Sequence, residues 1–191
     1  MKTTSIISGM AKGRQLSVAS GIRPTQEMVR KAFVDIMHGA FQDSVVLELF
    51  AGSGAIGIEA LSNGARDVIF VENNIQCCNA IKKNLSALGF DKNRAADSVL
   101  FMDVERAIAQ LEQHSKRFDI IFLDPPYYKD LAKNTLQRLS ACDIVTPHCV
   151  IVAEHNRKDF LESSINNITC FKQKRYGDTF LSFYKKVESS K

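Results

Sequence analysis

The chain has 191 residues, 45% hydrophobic and 24% charged, with a formal net charge of +4. That is one ordinary domain able to bury a core without disulfides, and no run approaches the ~18 apolar residues of a membrane-spanning helix. The net charge is uninformative about a polyanionic partner, but its distribution is not: residues 1–31 carry +5, residues 172–191 carry +4 and the middle carries −5.

In chain order, residues 5–20 read as a short hairpin with Gly9 and Gly13, followed by a helix over 26–38 with Thr25 as its N-cap. Residues 1–40 are therefore expected to be an extension, and 41–191 the main domain. Residues 1–13 hold no apolar core of signal-peptide type, so the cytoplasm is the expected location. From residue 45 short apolar runs alternate with amphipathic segments. Strands are predicted at 45–50, 68–72, 99–102, 118–123 and 150–154, and helices at 55–63, 75–88, 104–114 and 129–141. A final antiparallel strand pair is predicted at 170–174 and 179–185, joined by Tyr176-Gly177-Asp178. Such alternation predicts an α/β fold with a doubly wound, mostly parallel sheet. Ligands then bind beyond the carboxyl ends of the strands.

Those ends carry the chemistry. The first strand runs into Gly52-Ser53-Gly54, which with Gly57 spells G-x-G-x-x-G, and Glu72 ends the second strand 20 residues after Gly52. Glycines allow close approach of a ligand, and an acid in that place accepts hydrogen bonds from ribose hydroxyls. A nicotinamide dinucleotide and S-adenosylmethionine both fit. Glu48 favours the second, because an acid beside this turn pairs with an ammonium and repels a pyrophosphate. Asp103, after the third strand, is expected to accept a bond from an adenine amine; an ordinary helix N-cap is its alternative role. The fourth strand ends in Asp124-Pro125-Pro126-Tyr127. The Asp124 carboxylate and the Pro125 carbonyl suit the two donors of an exocyclic amine, and Tyr127 can stack on the base.

The sequence resembles class I S-adenosylmethionine-dependent methyltransferases that act on amines. More narrowly, it is similar to the RsmD family, bacterial small-subunit rRNA guanine-N2 methyltransferases. The resemblance rests on residues 7–16, Arg23-Pro24-Thr25, 49–54, 58–62 with Gly64-Ala65, Phe70-Val71-Glu72, 122–127 and Tyr176-Gly177-Asp178-Thr179. It departs from the common pattern at Glu27, Met28, Lys31 and Asn63. It implies a Rossmann-like fold and S-adenosylmethionine as cofactor, with S-adenosylhomocysteine as product. Glu48, Phe50, Gly52, Ser53 and Gly54 would hold the methionine part, Glu72 the ribose and Asp103 the adenine. Asp124, Pro125, Pro126 and Tyr127 would hold the guanine amine. The implied partner is 16S rRNA, in an assembling small subunit, met by a monomer.

Lys12, Arg14 and Arg23 are the expected RNA contacts, with the basic final strand pair as the second candidate, since the four acids leave the cleft poor in positive charge; the resemblance adds Thr25, by placing Arg23-Pro24-Thr25 near the active-site entrance. A DNA amine methyltransferase, a nicotinamide-dependent oxidoreductase and a non-catalytic RNA-binding protein are the rival readings. The four histidines are read as structural or surface groups and the five cysteines as free thiols. Glu154, ending the fifth strand, is not taken as a site residue.

Overall fold

The computed structural model describes residues 2–19, 21, 26–90, 98–126 and 130–187. Strands β1 (Lys2–Ser5) and β2 (Gln15–Val18) pair antiparallel and precede helix α1 (Glu27–Ile36). Then come β3 (Val45–Leu49), α2 (Ala55–Ser62), β4 (Asp67–Glu72), α3 (Ile75–Leu88) and β5 (Val99–Phe101). These are followed by α4 (Val104–Gln113), β6 (Phe118–Leu123), α5 (Leu131–Ser140) and β7 (Val145–Asn156). The last strands are β8 (Ser164–Ile165), β9 (Ile168–Tyr176) and β10 (Thr179–Lys186). None of the described helices is long and apolar enough to cross a membrane.

The main sheet has the order β5-β4-β3-β6-β7-β10-β9-β8. Neighbours from β5 to β7 are parallel, and those from β7 outward are antiparallel. The parallel strands read as nearly unbroken apolar runs because both their faces are covered. Val46, Phe70, Phe122 and Val152 face a core shared with Phe33 of α1, Ile56 of α2 and Ile81 of α3. Leu47, Val71, Ile121 and Ile151 face the opposite core, with Ile108 of α4 and Leu136 of α5. The chain winds outward from β3 to β5 and returns to β6, so the topological switch point lies between β3 and β6.

Local chemistry sets the element ends. The Asn74 side chain accepts from the Gln76 and Cys77 amides and starts α3; Gly89, at φ +74°, ends it. Pro125 and Pro126 stop β6. All eight residues of α2 are buried. Such burial needs close approach to the sheet, and Gly57 supplies it: an added Cβ would overlap Phe70 Cε1 and lie 2.7 Å from Glu48 Oε2.

The α/β class, the parallel sheet and the terminal antiparallel strands stand as the sequence suggests, with several corrections. The N-terminal hairpin pairs residues 2–5 with 15–18, not 5–15 with 16–20. Residues 6–14 are instead its connection, drawn onto α2 by long-range bonds invisible to local pattern. Glu59 accepts from the Ile7 and Ser8 amides, Ser62 Oγ accepts from the Ala11 amide and donates to Ser8, and Ser62 O accepts from the Met10 amide. Helix α1 has Gln26, without a side-chain cap bond, at its N-cap position; Thr25 lies outside the described residues. Strand β7 starts five residues early because a register shift against β6 accommodates Pro147. Strand β8 was missed, being two residues long; Asn166, at φ +48°, turns it into β9.

Gly57→Ala is expected to cost about 1–3 kcal/mol of overpacking, outweighing the ~0.5–1 kcal/mol that removing a helix glycine returns. Urea unfolding should show a lower midpoint at unchanged slope.

Candidate active site

The carboxyl edge of the parallel sheet brings together most of the expected cofactor residues. Strand β3 ends at Leu49, and Phe50 takes a left-handed backbone at φ +58°. That turn delivers the Ala51 amide to the Val71 carbonyl of β4 at 3.0 Å and starts the glycine turn, with Gly52 at φ +51° and Gly54 at φ +70°. Ser53 is buried within it. A bulky residue in this region is strained, and nothing in the local sequence announces it.

Glu72, at the end of β4, accepts from the Gly52 amide at 2.7 Å through Oε2 and from the Asn74 amide at 2.9 Å through Oε1. It fastens the glycine turn to the start of α3, and an ionised carboxylate retains acceptor capacity beyond two bonds. Glu48 is 3% exposed, and its Oε2 accepts from the Gly57 amide at 2.9 Å in the first turn of α2. Burial pushes its carboxyl up to about 8, against the pull of the Gly57 and Ile56 amides; the nearby Asp124 and Glu72 carboxylates add to the rise. Asp103 accepts from the Arg106 amide at 3.0 Å and caps α4, the role weighed as its alternative. The cap bond uses one of its two oxygens.

Across the switch point, Asp124 is half-buried, Pro125 buried and Pro126 exposed. Tyr127 lies outside the described residues. Pro125 and Pro126 line a shallow, open pocket, completed by the start of α5 with Lys133, the end of β7 with Glu154 and His155, and Asp159, Phe160 and Leu161. Glu154 is thus a pocket residue that sequence reasoning passed over. His155 is buried: one ring nitrogen meets Ser182 Oγ at 2.8 Å, the other the Asn156 carbonyl at 3.1 Å, and burial holds it below the ordinary imidazole value. It is a structural group, as expected. Sequence also missed Phe160, which is 80% exposed at the pocket mouth. The usable signal was its place just after a parallel strand, where doubly wound folds collect ligands.

Of the expected RNA contacts, the two described ones, Lys12 and Arg14, are not gathered there. Lys12 and Arg14 belong to the connection docked on the C-terminal half of α2, and Arg14 Nη2 donates to the Ala87 carbonyl near the C-terminus of α3 at 3.0 Å. Both helices start at the site edge, so their last turns lie at the other end of the sheet. Arg23 and Thr25 are outside the described residues. All five cysteines are free thiols, and no described group of three or more His, Cys, Asp or Glu is arranged to hold a metal.

Comparison with known proteins agrees with this architecture. The family described as Conserved hypothetical protein 95 matches residues 4–185. Ribosomal RNA small subunit methyltransferase D of Haemophilus influenzae is 32% identical over 90% of this chain and 88% of its own length. The protein of the same name in Escherichia coli is 28% identical over 95% of this chain and 89% of its own. A solved Escherichia coli structure described as "Putative methyltransferase yhhF" superimposes with a TM-score of 0.84 and 26% identity, covering 98% of this chain and all of that one. With the family matched nearly from end to end and relatives of that name aligned over most of their length, the chain belongs to the Conserved hypothetical protein 95 family, the RsmD family.

Proposed function

We propose that the protein transfers a methyl group from S-adenosylmethionine to the exocyclic N2 amine of a guanine in small-subunit rRNA. The observation that carries this reading is the placement of Asp124 and Pro125 at the end of β6, across the switch point from the glycine turn that Glu72 secures. The RNA substrate follows the names of the relatives.

The residues fit the cofactor's chemistry. Asp103, Glu72, Glu48 and Asp124 come from β5, β4, β3 and β6, successive strands of the sheet. Three strand spacings are about 14 Å, enough for a nucleoside with an amino-acid tail. When bound, S-adenosylmethionine supplies an electrophilic methyl group on a sulfonium. Glu72 accepts from the ribose hydroxyls, Asp103 from the adenine amine, and Glu48 faces the ammonium of the amino-acid tail. Asp124 and the Pro125 carbonyl accept hydrogen bonds from the two N–H groups of the target amine and so orient its lone pair. Catalysis is then positioning and electrostatics, without a covalent enzyme intermediate. Glu154 supports guanine over adenine, because guanine presents an N1–H donor beside its N2 amine where adenine presents a bare acceptor.

The oxidoreductase reading loses ground on one bond. A dinucleotide pyrophosphate needs free amides at the glycine turn, and here the Gly52 amide is held by the Glu72 carboxylate.

Asp124→Ala is expected to lower methyl transfer to small subunits from a strain lacking the native enzyme by about 10²-fold or more, the scale of losing a transition-state contact. S-adenosylmethionine affinity by calorimetry should stay within a few-fold. Unchanged turnover would remove Asp124 from the mechanism.

Glu48 makes a second test. Its folded value near 8 lies above its ordinary 4.5. The stability it contributes is therefore complete below about pH 4.5 and is lost as pH rises through about 8. Glu48→Gln keeps an acceptor for Gly57 and cannot ionise. Its stability relative to wild type should rise from pH 5 to 8 by up to about 1.4 kcal/mol per unit, read from urea midpoints. A pH-independent difference would show that Glu48 is ionised in the fold throughout.

A further inference from the structure

We propose that the RNA strand flanking the target base docks on a rim built from residues 157–161 and the β9–β10 turn. This rests on the reading of the protein as an rRNA methyltransferase and adds where the polyanion is held.

The register fixes the place. Thr179, the first residue of β10, pairs with Asn156, the last of β7, and with Tyr176, the last of β9. The turn therefore stands at the same end of the sheet as Asp124 and Pro125. Two contacts bind it to the segment after β7: the Arg157 amide donates to the Asp178 carbonyl at 2.8 Å, and Arg157 Nε lies 3.1 Å from Asp178 Oδ1. The same segment carries Asp159, Phe160 and Leu161 into the wall of the pocket that Pro125 and Pro126 line. The rim is thus continuous with the candidate base pocket.

Its chemistry suits a nucleic acid strand. Arg157, Lys158, Lys174 and Arg175 are all exposed. Lys174 stands level with Leu181 and hence with Glu154, beside the pocket. Arg175 Nε donates to the Gly177 carbonyl at 2.8 Å, which holds its guanidinium at the turn. The two acids of this rim have local tasks. Asp178 pairs with Arg157, and Asp159 Oδ2 accepts from the Asn156 amide at 3.1 Å. Phe160, 80% exposed, belongs to the same segment as Arg157 and Lys158 and lines the pocket. Cations that follow a backbone, with an aromatic ring for a base, are what single-strand recognition requires. The flanking strand is single here because the target base must leave its stack to enter the pocket.

The two described basic residues of the N-terminal connection, Lys12 and Arg14, do not stand at this edge. Lys12 and Arg14 lie by the last turns of α2 and α3, and α3, with 14 residues, is about 21 Å long. Arg30 is fully buried against the Glu59 side of α2.

The test uses the full-length protein, a fluorescein-labelled 12-nucleotide single-stranded RNA containing one guanine, and anisotropy titrations across a salt series. Lys158→Ala/Lys174→Ala/Arg175→Ala should bind this RNA at least 10-fold more weakly near 0.1 M salt. The slope of log affinity against log salt should shrink by about 2, as expected for three lost phosphate contacts. Phe160→Ala should lose about 5- to 100-fold with its slope unchanged, the signature of lost stacking. Lys12→Ala/Arg14→Ala should match wild type. Calorimetric S-adenosylmethionine affinity, unchanged in all variants, reports that each is folded. The proposal is overturned if the triple variant keeps wild-type affinity and slope, if the Lys12/Arg14 pair carries the loss, or if wild type does not bind the probe. Methyl transfer to small-subunit RNA, assayed separately on wild type, tests the activity itself. Its absence alongside the predicted binding pattern would sink the enzymatic reading and leave the docking rim standing.

Discussion

Everything at the site edge hangs on the seating of α2 against the sheet, and a buried carboxyl makes that seating. Glu48 reaches from β3 to the Gly57 amide in the first turn of α2, where orphan amides and the positive end of the helix dipole favour an acceptor. Gly57 has no side chain, so Phe70 and the Glu48 carboxyl can occupy the space beside it. The close approach sets where α2 begins, and so sets the geometry of Phe50 to Gly54. The same helix organises the other end of the molecule. Glu59 and Ser62 collect the amides of residues 7, 8 and 11 and fasten the N-terminal connection. A helix buried on all sides cannot be held by an amphipathic stripe. These polar clamps at its two ends do that work.

Arg30 completes the arrangement electrostatically. Its guanidinium nitrogens are buried and make no hydrogen bond among the described residues, a placement that costs several kcal/mol when no opposite charge is near. Burial lowers its proton affinity, while Glu59, Glu27 and Glu48 oppose that shift. Glu59 is itself pushed up by burial and pulled down by the Ile7 amide and by Arg30. One cation thus balances a layer in which Glu48 is largely neutral near pH 7, and it does so inside the fold. The sequence counts Arg30 among the basic residues of the N-terminal segment, but its charge is spent on α2.

The parallel sheet was legible because its strands are apolar on both faces, and the breaks at Gly52-Ser53-Gly54 and Pro125-Pro126 are covalent facts with one structural meaning each. Helix α3 was legible to the residue, since Asn74 and Gly89 cap it locally. Long-range terms were not legible. The hairpin register depends on Glu59 and Ser62, some fifty positions away in the chain. The left-handed turn at Phe50 contradicts that residue's own preference. Asp103 could be named as a strand-end acid, but its hydrogen bond to Arg106 appears only with the folded helix. The charge blocks at the two termini were countable, yet which end of the sheet each would occupy depended on strand direction.

That last point decides how an acid-rich cleft can serve a polyanion. Glu72, Asp103 and Asp124 stand along one edge, so a phosphodiester approaching the centre of the site meets repulsion. A neutral base with exocyclic donors meets acceptors. The same field that excludes the backbone therefore favours entry of an extruded base over entry of the strand. Cations placed among those acids would be neutralised by them, as Arg30 is within the fold. On the proposed reading, Lys158 and Arg175 on the β7 and β9–β10 side stand outside that neutralisation and hold phosphates while the base turns inward. On that reading, separating the two charges by a few strand widths would let one small domain bind the backbone and read the amine without either function cancelling the other.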